Sequence, residues 1–279
     1  MIDRARIRTM IEELSPLPQT AVRLASFMSA ADWTLEGCVD IIKYDQALTA
    51  GVLRYANAAS EGVRREISEV REAVVRLGGG RILEDILRRH LRRDCNVALP
   101  GYGYDERDLW RHSVAAAIAA ETLSAELSLP IEGLAFSAAL LHDIGKLMLA
   151  RAAPRHDMEA LWARVSAGGC SCERAEWEVL GVTHAEIGAE IIAAWGLPQS
   201  IVVSVGGHHA ISDPADLMTD CVMVANVVAR SIGEGIGHEG MNIAADAQVG
   251  KRIGLSKEKF ELICSRTRAR FLEVSEEFK

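Results

Sequence analysis

Apolar residues recur along most of the chain at the three- and four-residue spacing of one helix face. Three early segments show the pattern clearly: Val22, Leu24, Ala25 and Met28; Leu35, Val39 and Ile42; and Leu48, Val52, Leu53 and Ala56. No convincing run of five or more residues alternates between apolar and polar, as a half-buried strand would. The pattern therefore predicts an all-α protein.

Helix boundaries follow from prolines and glycines that interrupt this pattern. The segment 15–18, Ser-Pro-Leu-Pro, ends the first helix and starts the second. Further helices are predicted over residues 68–94, 105–128, 131–151, 155–168, 171–180, 184–196, 198–209, 214–233 and 256–275. Pro130 and Pro198 suit a first helical turn, where the missing N–H costs no hydrogen bond. The three glycines 78–80 are interpreted as a helix stop and a close-packing position.

The segment 95–104 divides the chain, because its Pro, two Gly and two Tyr break the helical period. It separates an N-terminal helical lobe, residues 1–95, from a longer C-terminal lobe, residues 105–279. The length of 279 residues is compatible with one large domain or two small ones. A glycine-rich loop at 233–240 lacks the Lys-Ser/Thr pair of a phosphate-binding P-loop.

Composition narrows the possible partners and compartment. Apolar residues make up 49% of the chain and charged residues 25%, which is ordinary for a globular protein. Lys and Arg minus Asp and Glu is 31 − 39 = −8, which argues against nucleic-acid and membrane partners. We find no signal peptide and no apolar run of the roughly 18–20 residues that span a bilayer. The six cysteines are expected to be reduced, and we predict a cytoplasmic protein.

His142 and Asp143 stand together in an otherwise apolar helix. Burying both is costly unless each is hydrogen-bonded or bound to a cation. Adjacent helical residues point about 100° apart, so a shared ion must lie over the helix flank. His112 is a candidate further ligand, with Asp108 one turn before it, and such ligands suit zinc, iron or manganese. Alternatively the pair is structural, because Lys146 could neutralise Asp143.

These residues resemble the HD superfamily of metal-dependent phosphohydrolases. The pattern continues with His184 in the segment 181–188 and with His208 and His209, as in the HD-GYP and HDOD branches. Segments 14–24, 42–57 and 67–78 resemble the opening of HDOD (HD-related output) domains. The resemblance covers about residues 10–235, which would form one HDOD unit. It implies an N-terminal helical lobe packed on an HD-like helical bundle, in a cytoplasmic bacterial signalling domain usually without demonstrated catalysis.

The resemblance also implies a ligand set and shows where it is degenerate. His112, His142 and Asp143 would hold one iron, manganese or zinc ion, and His184, His208 and His209 could hold a second. The superfamily closes its site with an Asp on a late helix, where this chain has Asn226. Asn lacks the negative charge and cannot act as a general base. Asp220 lies about 240° away round the same helix, and the Gly-Tyr-Pro motif is absent.

Three functions remain open at this point. The first is a non-catalytic signalling module that acts through signalling-protein partners. The second is a metal-dependent phosphohydrolase, in which Lys146 would contact phosphate. The third is a sensor of a nucleotide second messenger, which would bind in the cleft that corresponds to the active site of the HD superfamily.

The last helix, 257–272, is expected to pack on its own core, with partner docking as the alternative. His156, His238 and the basic stretch 88–93 are expected to be solvated, and no oligomeric state is indicated.

Overall fold

The computed structural model describes residues 2–30, 32–58, 67–131, 134–168, 170–211, 214–240 and 247–276. Its regular elements in this part of the chain are helices, and an isolated bridge joins Leu99 to Tyr104. The all-α prediction is confirmed. The helices are α1 (Arg4–Glu12), α2 (Gln19–Met28), α3 (Leu35–Ile42), α4 (Gln46–Ala58), α5 (Val70–Leu77), α6 (Gly79–Cys95), α7 (Asp108–Leu127), α8 (Ala135–Leu141), α9 (Gly145–Ala152), α10 (Arg155–Ser166), α11 (Cys172–Leu180), α12 (His184–Ala194), α13 (Gln199–Gly207), α14 (Leu217–Ser231), α15 (Ala247–Arg252) and α16 (Lys257–Glu276).

Two segments that the pattern predicts as single helices are each split in two. The helix predicted over 68–94 breaks at Gly78, whose φ of 80° requires the freedom of glycine. The helix predicted over 131–151 breaks between α8 and α9, where the backbone turns more tightly. Ile144 N–H there donates to Leu141 O at 3.0 Å, three residues back. Hydrophobic spacing persists through both breaks, so periodicity alone does not reveal them. The interpretation of glycines 78–80 as a helix stop is correct at Gly78, where α5 ends.

Helix α7 is the central element of the larger lobe and is buried along most of its length. It packs against α8, α14 and α16. The inner face of α16 carries Ile263 and Phe271, both at most 1% exposed, as expected for a helix that packs on its own core. Leu262 and Leu272 of the same helix remain exposed on its outer face.

The segment 95–104 is irregular, as predicted, but it is not a solvated linker. Helix α6 ends at Cys95 and a 3-10 turn follows at Pro100–Tyr102. The rings of Tyr102 and Tyr104 are at most 3% exposed. One cluster of buried apolar residues continues from Ile7 to Phe271 across this segment. The division into two lobes stays a prediction.

Helices α9 and α12 approach each other closely at a pair of glycines. A Cβ on Gly145 would overlap the carbonyl oxygen of His184 and lie 2.7 Å from the amide nitrogen of Gly188. This contact brings the start of α9 against the start of α12, and with them Asp143 and His184.

The expectation of a solvated basic stretch is wrong for its first residue. Arg88 is only 8% exposed, while Arg89 is exposed as expected. Within the described ranges, no helix combines the length and apolarity required to cross a bilayer.

Candidate metal centre

Five imidazoles and one carboxylate from separate helices meet in the larger lobe. His112 comes from α7, His142 ends α8, and Asp143 lies in the turn before α9. His184 is the first residue of α12, and His208 and His209 follow α13. All of them are at most 1% exposed except His209, which is partly exposed and marks the side nearest solvent. The six residues that the family resemblance implies as metal ligands are therefore brought to one place.

Asp143 lies between two groups of histidines. Its Oδ2 is 3.4 Å from His112 Nε2 and 3.5 Å from His142 Nε2. Its Oδ1 is 3.3 Å from His184 Nε2 and 3.8 Å from His208 Nε2. In each group, one with His112 and His142 and the other with His184, His208 and His209, the potential ligand atoms lie within 4.8 Å of one another. The two groups thus share a single carboxylate.

Backbone carbonyls determine which ring nitrogen faces the centre in three of the histidines. The Nδ1 atoms of His112, His142 and His208 lie 3.0, 2.7 and 2.7 Å from the carbonyl oxygens of Glu234, Ala139 and Val205. A carbonyl only accepts, so each Nδ1 must donate, and a neutral ring then carries its lone pair on Nε2. Those Nε2 atoms are the ones that converge on Asp143.

His184 is held by a different and stronger arrangement. Glu176 Oε2 accepts both the backbone N–H of His184 at 2.8 Å and its Nδ1–H at 2.7 Å. Thr183 and Glu186 form a capping box that begins α12 at this residue. A carboxylate behind a histidine fixes the ring and increases its basicity, as is usual for metal-bound histidines.

The ionisation of the cluster follows from burial and from its carboxylates. Burial lowers the pKa of His112, His208 and His209, and lowers that of His142 to about 4, so these rings are neutral at pH 7. Burial also disfavours the charged form of His184, but Glu176 and Asp143 outweigh it and raise the pKa to about 10.

The carboxyl of Asp143 is ionised within this cluster. Burial alone would raise its pKa, but the ammonium of Lys146 and the hydrogen bond from His184 outweigh burial and hold the pKa well below its usual value. The chain therefore places a buried carboxylate beside imidazoles, most of which are neutral.

These residues fit a divalent transition metal. His112 Nε2 and His142 Nε2 are 3.2 Å apart, and both are lone-pair acceptors that repel each other unless a cation lies between them. Asp143 Oδ1 is fully buried and lies 3.3 Å from His184 Nε2, on the side of the second histidine group. Imidazole nitrogens with a carboxylate oxygen suit zinc, iron or manganese. A site of this composition can bind such an ion.

Lys146, on the first turn of α9, is neutralised inside the protein. Its Nζ lies 2.8 Å from Asp143 Oδ2 and 3.1 Å from Glu239 Oε1. Glu239 Oε2 in turn lies 2.9 Å from an Arg230 guanidinium nitrogen. Burial raises the pKa of Glu239, but Lys146 and Arg230 outweigh burial and lower it to about 2. Lys146 is 3% exposed, so a carboxylate of the chain occupies the position beside its ammonium.

The glycine-rich loop at 233–240 covers this side of the centre. Arg111 holds Glu234 through two hydrogen bonds of 2.9 and 2.8 Å, and Tyr104 OH donates to Gly235 O at 3.0 Å. A Cβ on Gly235 would lie 2.7 Å from His112 Nδ1, so the loop packs directly on a candidate ligand. The loop therefore both orients His112 and carries Glu239.

Other residues considered from the sequence lie elsewhere. Asp108 Oδ2 accepts the backbone N–H of Asp105 at 2.8 Å, and Asp220 pairs with Arg252. Asn226 is buried on α14. Its interpretation as a vacated ligand position stays a prediction.

Four functional side chains escaped the sequence analysis. They are Glu176, Glu239, Tyr102, whose OH donates to Glu176 Oε1 at 2.7 Å, and Tyr104, which lies 3.4 Å from Lys146 Nζ. The sequence pattern of the glycine-rich loop bears only on phosphate binding. The two tyrosines lie in the segment 95–104, whose composition indicates a break between lobes. The only available signal was that acids and tyrosines in irregular segments often contact a site.

Comparison with known proteins finds a matching family and similar folds. The HDOD domain family profile matches residues 14–211. An HDOD domain protein of unknown function from Geobacter sulfurreducens superposes with a TM-score of 0.65 at 22% identity, over 96% of this chain and 94% of that one. A protein from Marinobacter aquaeolei VT8 assigned to signal transduction superposes with a TM-score of 0.68 at 25% identity, over 94% of this chain and 60% of that one.

A curated relative of unassigned function comes from Treponema pallidum. It is 24% identical over 209 residues, which are 74% of this chain and 39% of the relative. This chain thus spans about two fifths of that relative's length.

Proposed function

Because the chain belongs to the HDOD domain family, we propose that it is a non-catalytic signal-transduction module that acts through protein partners and keeps a degenerate HD-type metal centre. The observation that carries this proposal is the internal ion pair between Lys146 and Glu239. A hydrolase of this superfamily would need Lys146 for the phosphate of its substrate, and here two carboxylates already neutralise it.

Electrostatics explain why this ion pair opposes turnover. A substrate phosphate at Lys146 would have to displace the largely buried carboxylate of Glu239 from its ion pair with that ammonium. Removing one partner from a buried ion pair costs about 3–5 kcal/mol. Asn226 adds no negative charge and no general base. Binding a metal requires fewer groups than stabilising a transition state, so the centre can retain an ion without hydrolysis.

The test is an activity assay with a matched inactive variant. Purified protein supplied with Mn, Fe or Zn is assayed against a phosphomonoester and a cyclic dinucleotide, beside His142→Ala. We expect both proteins to give the rate of the buffer alone. Turnover by the wild type that His142→Ala abolishes would overturn the proposal.

A second candidate function, a metal-dependent phosphohydrolase, is favoured by the sharing of Asp143. One carboxylate between two sets of imidazoles is the arrangement needed to hold two ions close together. An ion held there would supply a Lewis acid and a bound water of lowered pKa. In that case Lys146 would bind phosphate once Glu239 moves away.

Elemental analysis of freshly purified protein addresses the metal centre separately from activity. We expect iron, manganese or zinc in the wild type and its loss in Asp143→Ala, which removes the shared ligand. Equal metal content in the two proteins would contradict the assignment of these ligands. A nucleotide messenger in this cleft is a weaker candidate, because it also would compete with Glu239.

Partner-mediated action has its own test. Chemical crosslinking in the cells that make the protein should give reproducible adducts with other proteins. Adducts between copies of this chain alone would contradict it. The cytoplasmic location stays a prediction.

A further inference from the structure

A groove in the N-terminal part of the molecule lies between α4 and α6 and continues to the end of α16. Its larger cavity measures about 670 Å³ and its smaller neighbour about 360 Å³. Arg54, Asp85 and Arg89 line both cavities, so the two form one continuous groove. No lining residue of either cavity belongs to the histidine centre. Each cavity has the size of a pocket for a small organic ligand, for which volumes of about 300–1,000 Å³ are usual.

Positive charge is concentrated in the larger cavity although the whole chain is acidic. Five arginines line it against three acids: Arg54, Arg81, Arg88, Arg89 and Arg270, with Glu84, Asp85 and Glu273. Arg88 and Arg89 share the carboxylate of Asp85, at 3.6 and 2.8 Å. Among the described residues no carboxylate forms an ion pair with Arg54 or Arg81. Guanidinium groups are therefore available to an incoming anion.

One of the acids in the groove carries less than a full negative charge. Glu84 is 9% exposed, and burial raises its pKa to about 7, although Arg88 opposes the shift. Protonation near neutral pH therefore reduces the negative charge of this carboxyl. The arginines consequently dominate the charge of the cavity.

The wall at the other end of the groove is mainly apolar. Pro18, Leu48, Gly51 and Ile86 line the smaller cavity, with the polar residues Thr20, Asp45 and His90 beside them. A Cβ on Gly51 would meet no heavy atom within 4 Å, so the wall of α4 leaves space there. The half-buried Tyr55 lies in the larger cavity and offers an aromatic ring beside the arginines.

We propose that this groove binds a phosphorylated nucleotide, with its phosphates on the arginines and its base in the apolar cavity. Arg binds phosphate with two parallel hydrogen bonds, and several arginines at one site favour an anion with more than one phosphate. The apolar cavity gives a flat ring a place out of water, which a bare phosphate would not use. This ligand site lies outside the metal centre and is not required by the proposed role as a non-catalytic signal-transduction module.

Calorimetric titration of the full chain with ADP, GDP and inorganic pyrophosphate tests the proposal. We expect saturable one-site binding of at least one nucleotide, and binding weakened about tenfold or more when Arg54 and Arg81 are both changed to Gln. Arg155→Gln is the matched control, because Arg155 is exposed and lies outside the groove. It should leave binding unchanged.

Gly51→Leu separates the two ends of the groove. The added Cβ meets no heavy atom within 4 Å, and the rest of the leucine side chain is expected to extend into the smaller cavity that Gly51 lines. We expect it to weaken nucleotide binding and to leave pyrophosphate binding as it is. The proposal is overturned if neither nucleotide binds at about 1 mM, if Arg155→Gln weakens binding as much as the double variant, or if Gly51→Leu leaves nucleotide affinity unchanged.

Discussion

The histidine centre and the arginine groove both contain several charged side chains, but they differ in whether those charges are paired within the protein. In the centre Asp143 and Lys146 are at most 3% exposed, and each meets an opposite charge within 3 Å. In the groove Arg54 and Arg81 are exposed and form no ion pair with a described acid. The centre is neutralised by the chain itself, whereas the groove leaves positive charge available to another molecule.

Desolvation explains the difference. An unpaired charge in a protein interior costs several kcal/mol, so a buried site folds only if its charges are matched internally. An exposed arginine keeps its water and costs little when unpaired. The comparison shows that a set of ligand-type residues is not sufficient evidence of an open active site. Internal pairing must be examined as well.

Removal of Asp143 should have the largest effect on the centre. Asp143→Ala takes one of two carboxylates from Lys146 and the shared acceptor from both histidine groups, and we expect unfolding to cost about 3–5 kcal/mol less. Urea denaturation measures this change. The control is Asp40→Ala, whose carboxylate is exposed beside Lys43 and should change stability by about 0.5 kcal/mol or less. Similar losses in both variants would refute the internal neutralisation.

The close approach of α9 and α12 should be nearly as sensitive. Gly145→Ala places a methyl group against the backbone of His184, and we expect a loss of about 3 kcal/mol in thermal or urea unfolding. Gly250→Ala is the matched control, because the nearest atom to its new Cβ, Leu255 O, is 4.0 Å away. That change should be neutral or stabilise by about 1 kcal/mol. An unaffected Gly145→Ala would mean that α9 and α12 can separate freely.

Glu84→Gln, in the arginine groove, should stabilise the folded protein, with a smaller effect that depends on pH. The pKa of Glu84 is raised from 4.5 to about 7, so the folded state binds the additional proton between these values. The free energy of unfolding therefore falls as pH rises through this window, because the buried carboxyl must ionise. The Gln side chain cannot ionise, so the variant does not lose this stability. We expect a gain of about 2 kcal/mol at pH 8 and little gain at pH 4.

The comparison for this variant is Glu159→Gln, an exposed partner of Arg155. Its unfolding free energy should change little at either pH. A gain for Glu84→Gln that is the same at pH 4 and pH 8 would contradict the shifted pKa, because only an ionising group produces the difference.

The sequence predicted some residues of the histidine centre and not others. His142 and Asp143 were candidates because a polar pair in an apolar helix needs a partner, and the structure brings them to His112 and the later histidines. The continuous helix predicted over 131–151 was wrong, because the tight turn before α9 leaves the apolar spacing intact. Glu239 could not be identified from the sequence because it lies in a glycine-rich loop. Such a loop has no helical periodicity from which the orientation of its side chains could be predicted.

The sequence by itself determined that the chain is helical, where most helices lie and which imidazoles are available, because periodicity and side-chain chemistry are local properties. Only the tertiary structure decided that Asp143 is shared by two histidine groups and that Glu239 neutralises Lys146 across 93 residues of chain. It also decided that arginines of α4, α6 and α16 line one groove. Such pairings depend on distances between separate helices, and those distances are set by how the whole core packs.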